Sequence, residues 1–206
     1  MFVVPFLNCN RTKTPLVIDD VVLGFRIALG GSAEYYGVKP DIVILGKAMS
    51  TTGCVSAVLG RRDLVGRLGD ACFYSTTFGG APGPCAAAAA TVNWLIENNN
   101  HVYGEKILTG VRFNELTNGS EDTHVRTIGY LRRIGQALKD GLNAIGINVI
   151  GQPERSVAVF NSEEARRAWC GRMIERGVIC DRPFFSTLVH TMDDVSKTIE
   201  AAKATL

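Results

Sequence analysis

The sequence has little that would assign it to a specialised class of protein. Its 206 residues carry a net charge of only +2, so charge gives no reason to expect nucleic acid or an acidic membrane surface as a partner. No apolar run reaches the ~18 to 20 residues that a membrane-spanning helix needs, and no repeat or low-complexity segment is present. With 46% hydrophobic and 20% charged residues, the composition is typical of a globular protein.

Cysteine motifs are also lacking. The 6 cysteines are scattered, and no two have the C-x-x-C spacing of a zinc or redox site. We therefore expect reduced thiols and a cytoplasmic location. The apolar residues 1–7 lack a basic region and a small-residue cleavage site, so they do not indicate a signal peptide.

Two short apolar runs near the start of the chain each end on a residue with useful chemistry. Residues 16–18 lead into Asp19, and residues 41–45 lead into Lys47. Such runs are typical of parallel strands buried on both faces, whose carboxyl ends are the usual ligand-binding edge of an open α/β sheet. A carboxylate that holds a pyridinium N–H and a lysine that forms an imine are what a pyridoxal phosphate site requires. A phosphate-binding P-loop is excluded because Ala48 stands where Ser or Thr is needed.

Further along, apolar periodicity predicts an alternation of helices and strands. The predicted strands are 55–59, 149–150, 157–160, 178–180 and 187–189. The predicted helices are 61–68, 84–96, 128–145 and 163–176, and a last helix that Thr191 caps. We therefore predict a partial large domain over 1–110, a connection over 111–127 and a separate α+β small domain over 128–206.

Three ordered motifs carry a family resemblance. They are the stretch from Ile18 to Asp41, which includes Gly24-Phe25-Arg26, the segment Leu45-Gly-Lys-Ala-Met49, and Ser75-Thr-Thr-Phe-Gly-Gly80 ahead of an Ala-rich helix. With these motifs the chain resembles the class III pyridoxal-phosphate-dependent aminotransferases, and within them most closely the glutamate-1-semialdehyde aminomutase group. The resemblance covers most of the chain but only about the second half of a normal family member.

The resemblance implies a role for four residues. Lys47 would form the Schiff base and move a proton, Asp19 would hold the pyridine nitrogen, Val21 would pack on the ring, and Thr77 would bind the cofactor phosphate in the neighbouring subunit's site. Each residue also has an ordinary reading: Lys47 as a solvated surface lysine, Asp19 as a turn former, Val21 as core packing and Thr77 as part of a polar turn.

The resemblance also implies the fold and the reaction. The fold would be α/β, the fold type I of pyridoxal-phosphate-dependent transferases, with a partial large domain and an α+β C-terminal domain. The reaction would be amino-group transfer, by an aminotransferase or a glutamate-1-semialdehyde-type aminomutase, on a small amino, keto or amino-aldehyde substrate in a homodimer. The alternative is a truncated, non-catalytic homologue that serves as a dimerisation or partner-binding chain. The family usually has Glu at the position of Asp20, and Arg26 is either a substrate-facing cation or a surface charge.

Overall fold

A computed structural model describes residues 3–50, 55–71, 77–99, 128–181 and 183–206. The chain falls into two compact units, Met1–Glu121 and Asp122–Leu206. The connection predicted over 111–127, with the domain boundaries at its two ends, lies outside the described residues, so the predicted division stays a prediction. Within the described ranges, no helix is both long enough and apolar enough to cross a membrane.

The first unit contains a small sheet and several helices. In chain order its elements are α1 (Val3–Thr12), β1 (Val17–Asp19), α2 (Gly31–Tyr35), β2 (Ile42–Leu45), β3 (Ala57–Gly60), α3 (Arg62–Val65), α4 (Leu68–Ala71) and α5 (Pro82–Asn99). A single 3-10 turn, Lys47–Met49, follows β2. The helix predicted over 61–68 is confirmed only in its first part, because α3 ends at Val65 and a second short helix begins at Leu68.

The sheet of the first unit has the order β1-β2-β3. The predicted parallel pairing of the first two strands is confirmed, with Asp19 opposite Ile44, whereas β3 runs antiparallel to β2. The expectation that both faces are buried is met only in part. Ile18 and Leu45 are buried, but half of the Val17 surface is exposed (50%).

The amino ends of these strands are joined by Asp41. Its Oδ2 accepts a hydrogen bond from the backbone N–H of Leu16 at 2.9 Å, and its Oδ1 pairs with Arg61 at 2.8 Å. The Leu16 N–H, and after it the Arg61 side chain, hold the pKa of Asp41 below its usual value. Asp41 therefore fixes the end of the sheet opposite to the edge at which Asp19 and Lys47 lie.

The second unit is an α+β unit. Its elements are α6 (Ile128–Ala144), β4 (Val149–Gln152), β5 (Arg155–Ala158), α7 (Glu163–Ile174), β6 (Pro183–Phe185) and α8 (Met192–Lys203). The strands form an antiparallel sheet in the order β4-β5-β6. Trp169 and Met173 from α7 and Leu142 from α6 are fully buried in its core.

Two predicted strands of the second unit are wrong. Residues 178–180 instead close the end of α7, because Gly177 has a left-handed backbone (φ +80°) and the Val178 N–H returns to the Met173 carbonyl at 3.0 Å. Residues 187–189 form a turn, in which the Thr187 N–H donates to His190 Nδ1 at 3.2 Å. The third strand is β6, which pairs with β5.

Candidate active site

The candidate site lies at the carboxyl edge of the parallel pair β1 and β2. Asp19 is the last residue of β1 and lies beside Ile44 in the register of the two strands. Lys47 follows the end of β2 after Gly46. Because parallel strands end at the same edge of a sheet, the topology brings this carboxylate and this amine to one side of the first unit.

The Asp19 side chain is exposed and can accept a further hydrogen bond. Its Oδ1 accepts one from the backbone N–H of Val21 at 3.1 Å, which closes a short turn at the end of the strand. An ionised carboxylate has about four acceptor positions, so most of its capacity is left for a ligand. Asp19 can therefore hold a protonated ring nitrogen without giving up its contact with the turn.

Lys47 occupies an uncommon backbone conformation. Its φ is +42°, in the left-handed region that residues other than glycine rarely adopt. Its side chain is exposed. The turn is held by hydrogen bonds from Met49 N to Gly46 O at 3.0 Å and from Ser50 N to Lys47 O at 3.1 Å. Buried Met49 anchors the turn to the unit, so the backbone of Lys47 is fixed while its amine stays accessible.

Val21 connects the two halves of the site. A Cβ built at Gly46 would lie 3.4 Å from Val21 Cγ1, so the half-buried valine packs directly against the residue that precedes Lys47. Val21 also donates its N–H to Asp19. The site therefore offers an acceptor, an amine and an apolar surface, which are the groups that a pyridinium ring bearing an aldehyde needs. Among the described residues, no cluster of His, Cys, Asp or Glu could hold a metal ion.

Thr77 lies in the turn that precedes α5, with its side chain exposed. Within the described part of this chain, no hydrogen bond joins it to Asp19, Val21 or Lys47. Ser75 and Thr76, the other hydroxyl residues of its motif, lie outside the described residues. Its predicted role in a neighbouring subunit's site is thus a prediction that one chain by itself does not test.

The sequence did not single out Asp20 as a site residue, although it is the most deeply buried acid of this edge. Only 1% of Asp20 is exposed, and both carboxylate oxygens accept hydrogen bonds from Ser32. The partners are separated by 12 positions and lie in different elements, so no periodicity or local motif links them. The substitution of Asp for the usual family Glu was the one signal at this position.

Comparison with known proteins identifies the family. The family described as Aminotransferase class-III matches residues 7–182. The chain belongs to the class III aminotransferases. This class III chain is 30% identical over 204 residues to a glutamate-1-semialdehyde 2,1-aminomutase of Archaeoglobus fulgidus. It is 28% identical over 205 residues to the enzyme of that name from Nitrosopumilus maritimus. Each alignment covers 93% of this chain and 45% of the relative, so the chain spans about half the length of these proteins.

Solved structures agree with the family and with the predicted fold class. The FumI protein of a Sphingopyxis species, solved as its PLP internal aldimine, superposes with a TM-score of 0.72 and 25% identity, covering 97% of this class III chain and 44% of that protein. Acetylornithine aminotransferase from Elizabethkingia anophelis superposes with a TM-score of 0.69 over 96% of this chain and 46% of that one; at 20% identity it supports the fold alone. The predicted partial fold type I architecture is confirmed.

Proposed function

We propose that this chain carries the cofactor-attaching part of a pyridoxal-phosphate-dependent enzyme that transfers amino groups. The observation that carries the proposal is the meeting of Asp19 and Lys47 at one edge of the sheet, with Val21 packed between the Asp19 turn and Gly46. The class III family match and the pyridoxal-phosphate-bound structural neighbours support pyridoxal phosphate as the cofactor, as the motifs predict.

Asp19 binds and orients the cofactor ring in this proposal. When bound, the cofactor supplies an electron sink that stabilises negative charge at the substrate carbon bearing the amino group. The Asp19 carboxylate accepts a hydrogen bond from the ring nitrogen and favours its protonated form, because a neighbouring negative charge stabilises a cation. Its exposure leaves the oxygen atoms accessible for this contact.

Lys47 has two tasks at its Nζ atom. It would hold the cofactor covalently, and as a free amine it would take a proton from one substrate position and return it at another. The 3-10 turn supports both tasks, because it fixes the lysine backbone beside Val21 while the side chain remains exposed.

Two further residues complete the binding of the cofactor. Val21 contributes apolar contact to one face of the ring, which its half-buried position beside Gly46 allows. Thr77 binds the phosphate of a neighbouring subunit's cofactor through its exposed hydroxyl, so the working enzyme is a homodimer.

The substrates are small amino and keto compounds if the enzyme is an aminotransferase, or an amino-aldehyde if it is an aminomutase. The names of the two relatives favour the aminomutase. A cytoplasmic location fits the free thiols of Cys9, Cys85, Cys170 and Cys180.

Covalent labelling tests the role of Lys47. The chain is incubated with pyridoxal phosphate, reduced with borohydride and mapped by peptide mass spectrometry. We expect the label on Lys47, since reduction fixes the cofactor on the lysine that holds it. Lys47→Ala should lose the label. Lys39→Ala is the matched control, because this exposed lysine precedes the amino end of β2, and the variant should keep the label on Lys47. Label on another lysine, with Lys47 unmodified, would rule out the assignment.

A second candidate function is that of a non-catalytic chain that dimerises or binds a partner. It is favoured by the exposure of apolar side chains on the sheet of the first unit, where Val17, Val58 and Leu59 are 50%, 45% and 53% exposed. Under this candidate the chain would bind its partner normally after Lys47→Ala. Labelling of Lys47 together with amino-group transfer would favour the enzyme instead.

A further inference from the structure

The strongest unassigned feature of the candidate site is the buried carboxylate of Asp20. Its side chain is 1% exposed. Oδ2 accepts a hydrogen bond from the Ser32 backbone N–H at 2.6 Å, and Oδ1 accepts one from the Ser32 hydroxyl at 2.5 Å. Among the described residues, no cation forms an ion pair with this carboxylate. A buried charge is costly unless it is well hydrogen-bonded, so Ser32 holds Asp20 in one place.

The backbone of Asp20 extends this anchoring to other segments at the same edge. Its N–H donates to the Ile44 carbonyl at 2.9 Å, which continues the pairing of β1 with β2 towards Lys47. Its carbonyl accepts from the Gly24 N–H at 2.8 Å and closes the turn after β1. Asp20 thus joins the ends of two strands, the following turn and the first helical turn of α2.

The loop that surrounds the Asp20 carboxylate has a glycine, Gly31, at the point where it lies closest to the carboxylate. Gly31 has a left-handed backbone (φ +64°), and a Cβ built there would lie 1.9 Å from Asp20 Oδ2. Ile27 and Ala28, between Gly24 and Gly31, are almost fully buried. The segment 24–32 therefore forms a packed loop that closes on the carboxylate.

The position of Asp20 along the strand links it to the cofactor. Successive side chains of an extended segment point to opposite sides. Holding Asp20 inward directs Asp19 outward, and the N–H of Val21 then meets Asp19 Oδ1 at 3.1 Å. The orientation of Asp19 is thus set by the bonds that Asp20 makes on the other side of the backbone.

We propose that Asp20 and Ser32 are positioning residues that fix the direction of the Asp19 carboxylate towards the cofactor ring nitrogen. The inference rests on the proposed function of Asp19 and deepens it. The shorter Asp reaches Ser32 here, and the Ser32 hydroxyl supplies its second hydrogen bond. Neither residue touches the cofactor; both act through Asp19.

Hydrogen exchange on the full chain without cofactor tests the first step. In Asp20→Asn we expect the Ser32 and Val21 amides to exchange about tenfold faster or more, because a hydrogen bond to a charged group has been weakened and the Asp19 turn has been released. Ser32→Ala removes only the hydroxyl and should give a smaller increase at Val21. Asp41→Asn is the matched control, since this aspartate also binds a backbone N–H but at the opposite end of the sheet, and it should leave Val21 unchanged.

The second readout is the ¹⁵N chemical shift of ring-labelled pyridoxal phosphate bound to the full chain, which reports protonation of the ring nitrogen. Asp19→Asn should move the shift furthest towards that of an unprotonated nitrogen. Asp20→Asn should move it part of the way, Ser32→Ala less, and Asp41→Asn not at all. Loss of overall stability alone would not produce this order, because Asp41→Asn also weakens a charged hydrogen bond to the same sheet.

Each outcome decides between the inference and the function on which it rests. If Asp19→Asn moves the ring shift while Asp20→Asn and Ser32→Ala leave both the shift and the Val21 exchange unchanged, the inference is wrong and the proposed function stands. If Asp19→Asn leaves the shift unchanged, the proposed role of Asp19 is wrong, and the inference with it. Should Asp20→Asn fail to fold, the comparison of Ser32→Ala with the parent chain decides by the same two readouts.

Discussion

At the scale of single residues, Gly31 combines a left-handed backbone with direct contact to a buried carboxylate. With φ at +64°, any other residue is strained there, and a Cβ would lie only 1.9 Å from Asp20 Oδ2. The position is therefore constrained twice, by the backbone and by the space around it. Both constraints arise from the fold of the first unit.

Gly31→Ala should destabilise the first unit. The left-handed backbone alone costs an alanine about 1 to 2 kcal/mol, and displacement of Asp20 adds to that cost. Urea unfolding followed by hydrogen exchange in peptides of the first unit measures the effect. Gly83→Ala is the control, because this glycine lies in α5, where the added Cβ would meet nothing within 4 Å beyond its own neighbouring helix backbone. We expect it to be neutral or stabilising by up to about 1 kcal/mol, and equal loss in both variants would contradict the prediction.

At the scale of elements, α8 begins with a capping box. The Thr191 hydroxyl accepts from the Asp194 N–H at 3.3 Å, and Asp194 Oδ2 accepts from the Thr191 N–H at 2.8 Å. Thr191→Ala should cost the second unit about 1 kcal/mol of unfolding free energy, since the Asp194 N–H loses the hydroxyl that accepts its hydrogen bond. Thermal or urea unfolding measures this loss. Thr198→Ala, in the interior of the same helix, should change stability by less than about 0.5 kcal/mol; a larger loss at Thr198 than at Thr191 would refute the role of the cap.

An ion pair at the start of α7 makes the stability of the second unit depend on pH. Glu163 pairs with Arg166 at 2.5 Å and with Arg167 at 3.3 Å. The hydrogen bond from Arg166 is the main cause that lowers the pKa of Glu163 from 4.5 to about 2. A carboxyl group whose folded-state pKa is lowered stabilises the folded state fully above its unfolded pKa, and this contribution is lost as the pH falls through the folded-state pKa.

The melting temperature of the second unit should therefore fall as the pH decreases from 4.5 towards 2, in part through Glu163. Glu163→Gln should flatten this part of the profile, because the amide does not titrate. Melting curves recorded at intervals of pH follow the effect, with Glu175→Gln as control, since Glu175 lies 4.0 Å from Arg176 in an exposed pair. An unchanged profile in Glu163→Gln would show that the pair does not govern acid stability.

At the scale of the whole molecule, apolar side chains of the first sheet are open to solvent. Val58 and Leu59 on β3 are 45% and 53% exposed, and both lie on the outer strand of the sheet. Exposed apolar strand residues favour association with another chain. We expect the chain to self-associate and to bind pyridoxal phosphate weakly by itself.

Sedimentation should therefore give a mean mass above that of one chain, and Leu59→Lys should lower it. Ile179→Lys is the matched control, because Ile179 is 91% exposed but belongs to the second unit and not to this sheet. A monodisperse monomer that binds the cofactor tightly would contradict the prediction. A decrease in mass with Ile179→Lys but not with Leu59→Lys would place the association on the second unit.

Signals that are local in sequence could be read from the chain alone. The motifs around Asp19, Lys47 and Thr77 predicted the family and the fold class, which the comparisons confirm, and pyridoxal phosphate as the cofactor, which they support. The spacing of apolar residues predicted the long helix that begins at Ile128, and the residue types after Thr191 predicted its role as an N-cap. Each of these signals depends on residues within a few positions of one another, which is why a single sequence contains them.

What only the tertiary structure decided depends on residues that are distant in sequence. The pairing of Asp20 with Ser32, the antiparallel direction of β3 and the placement of the third strand at Pro183–Phe185 all belong to this class. Residues 178–180 have strand-forming side chains, but they do not form a strand. The Val178 N–H donates a hydrogen bond to the Met173 carbonyl, so this segment closes the end of α7 instead. Local propensity differs among such alternatives by about 1 kcal/mol or less, so burial and hydrogen bonding across the fold determine which one forms.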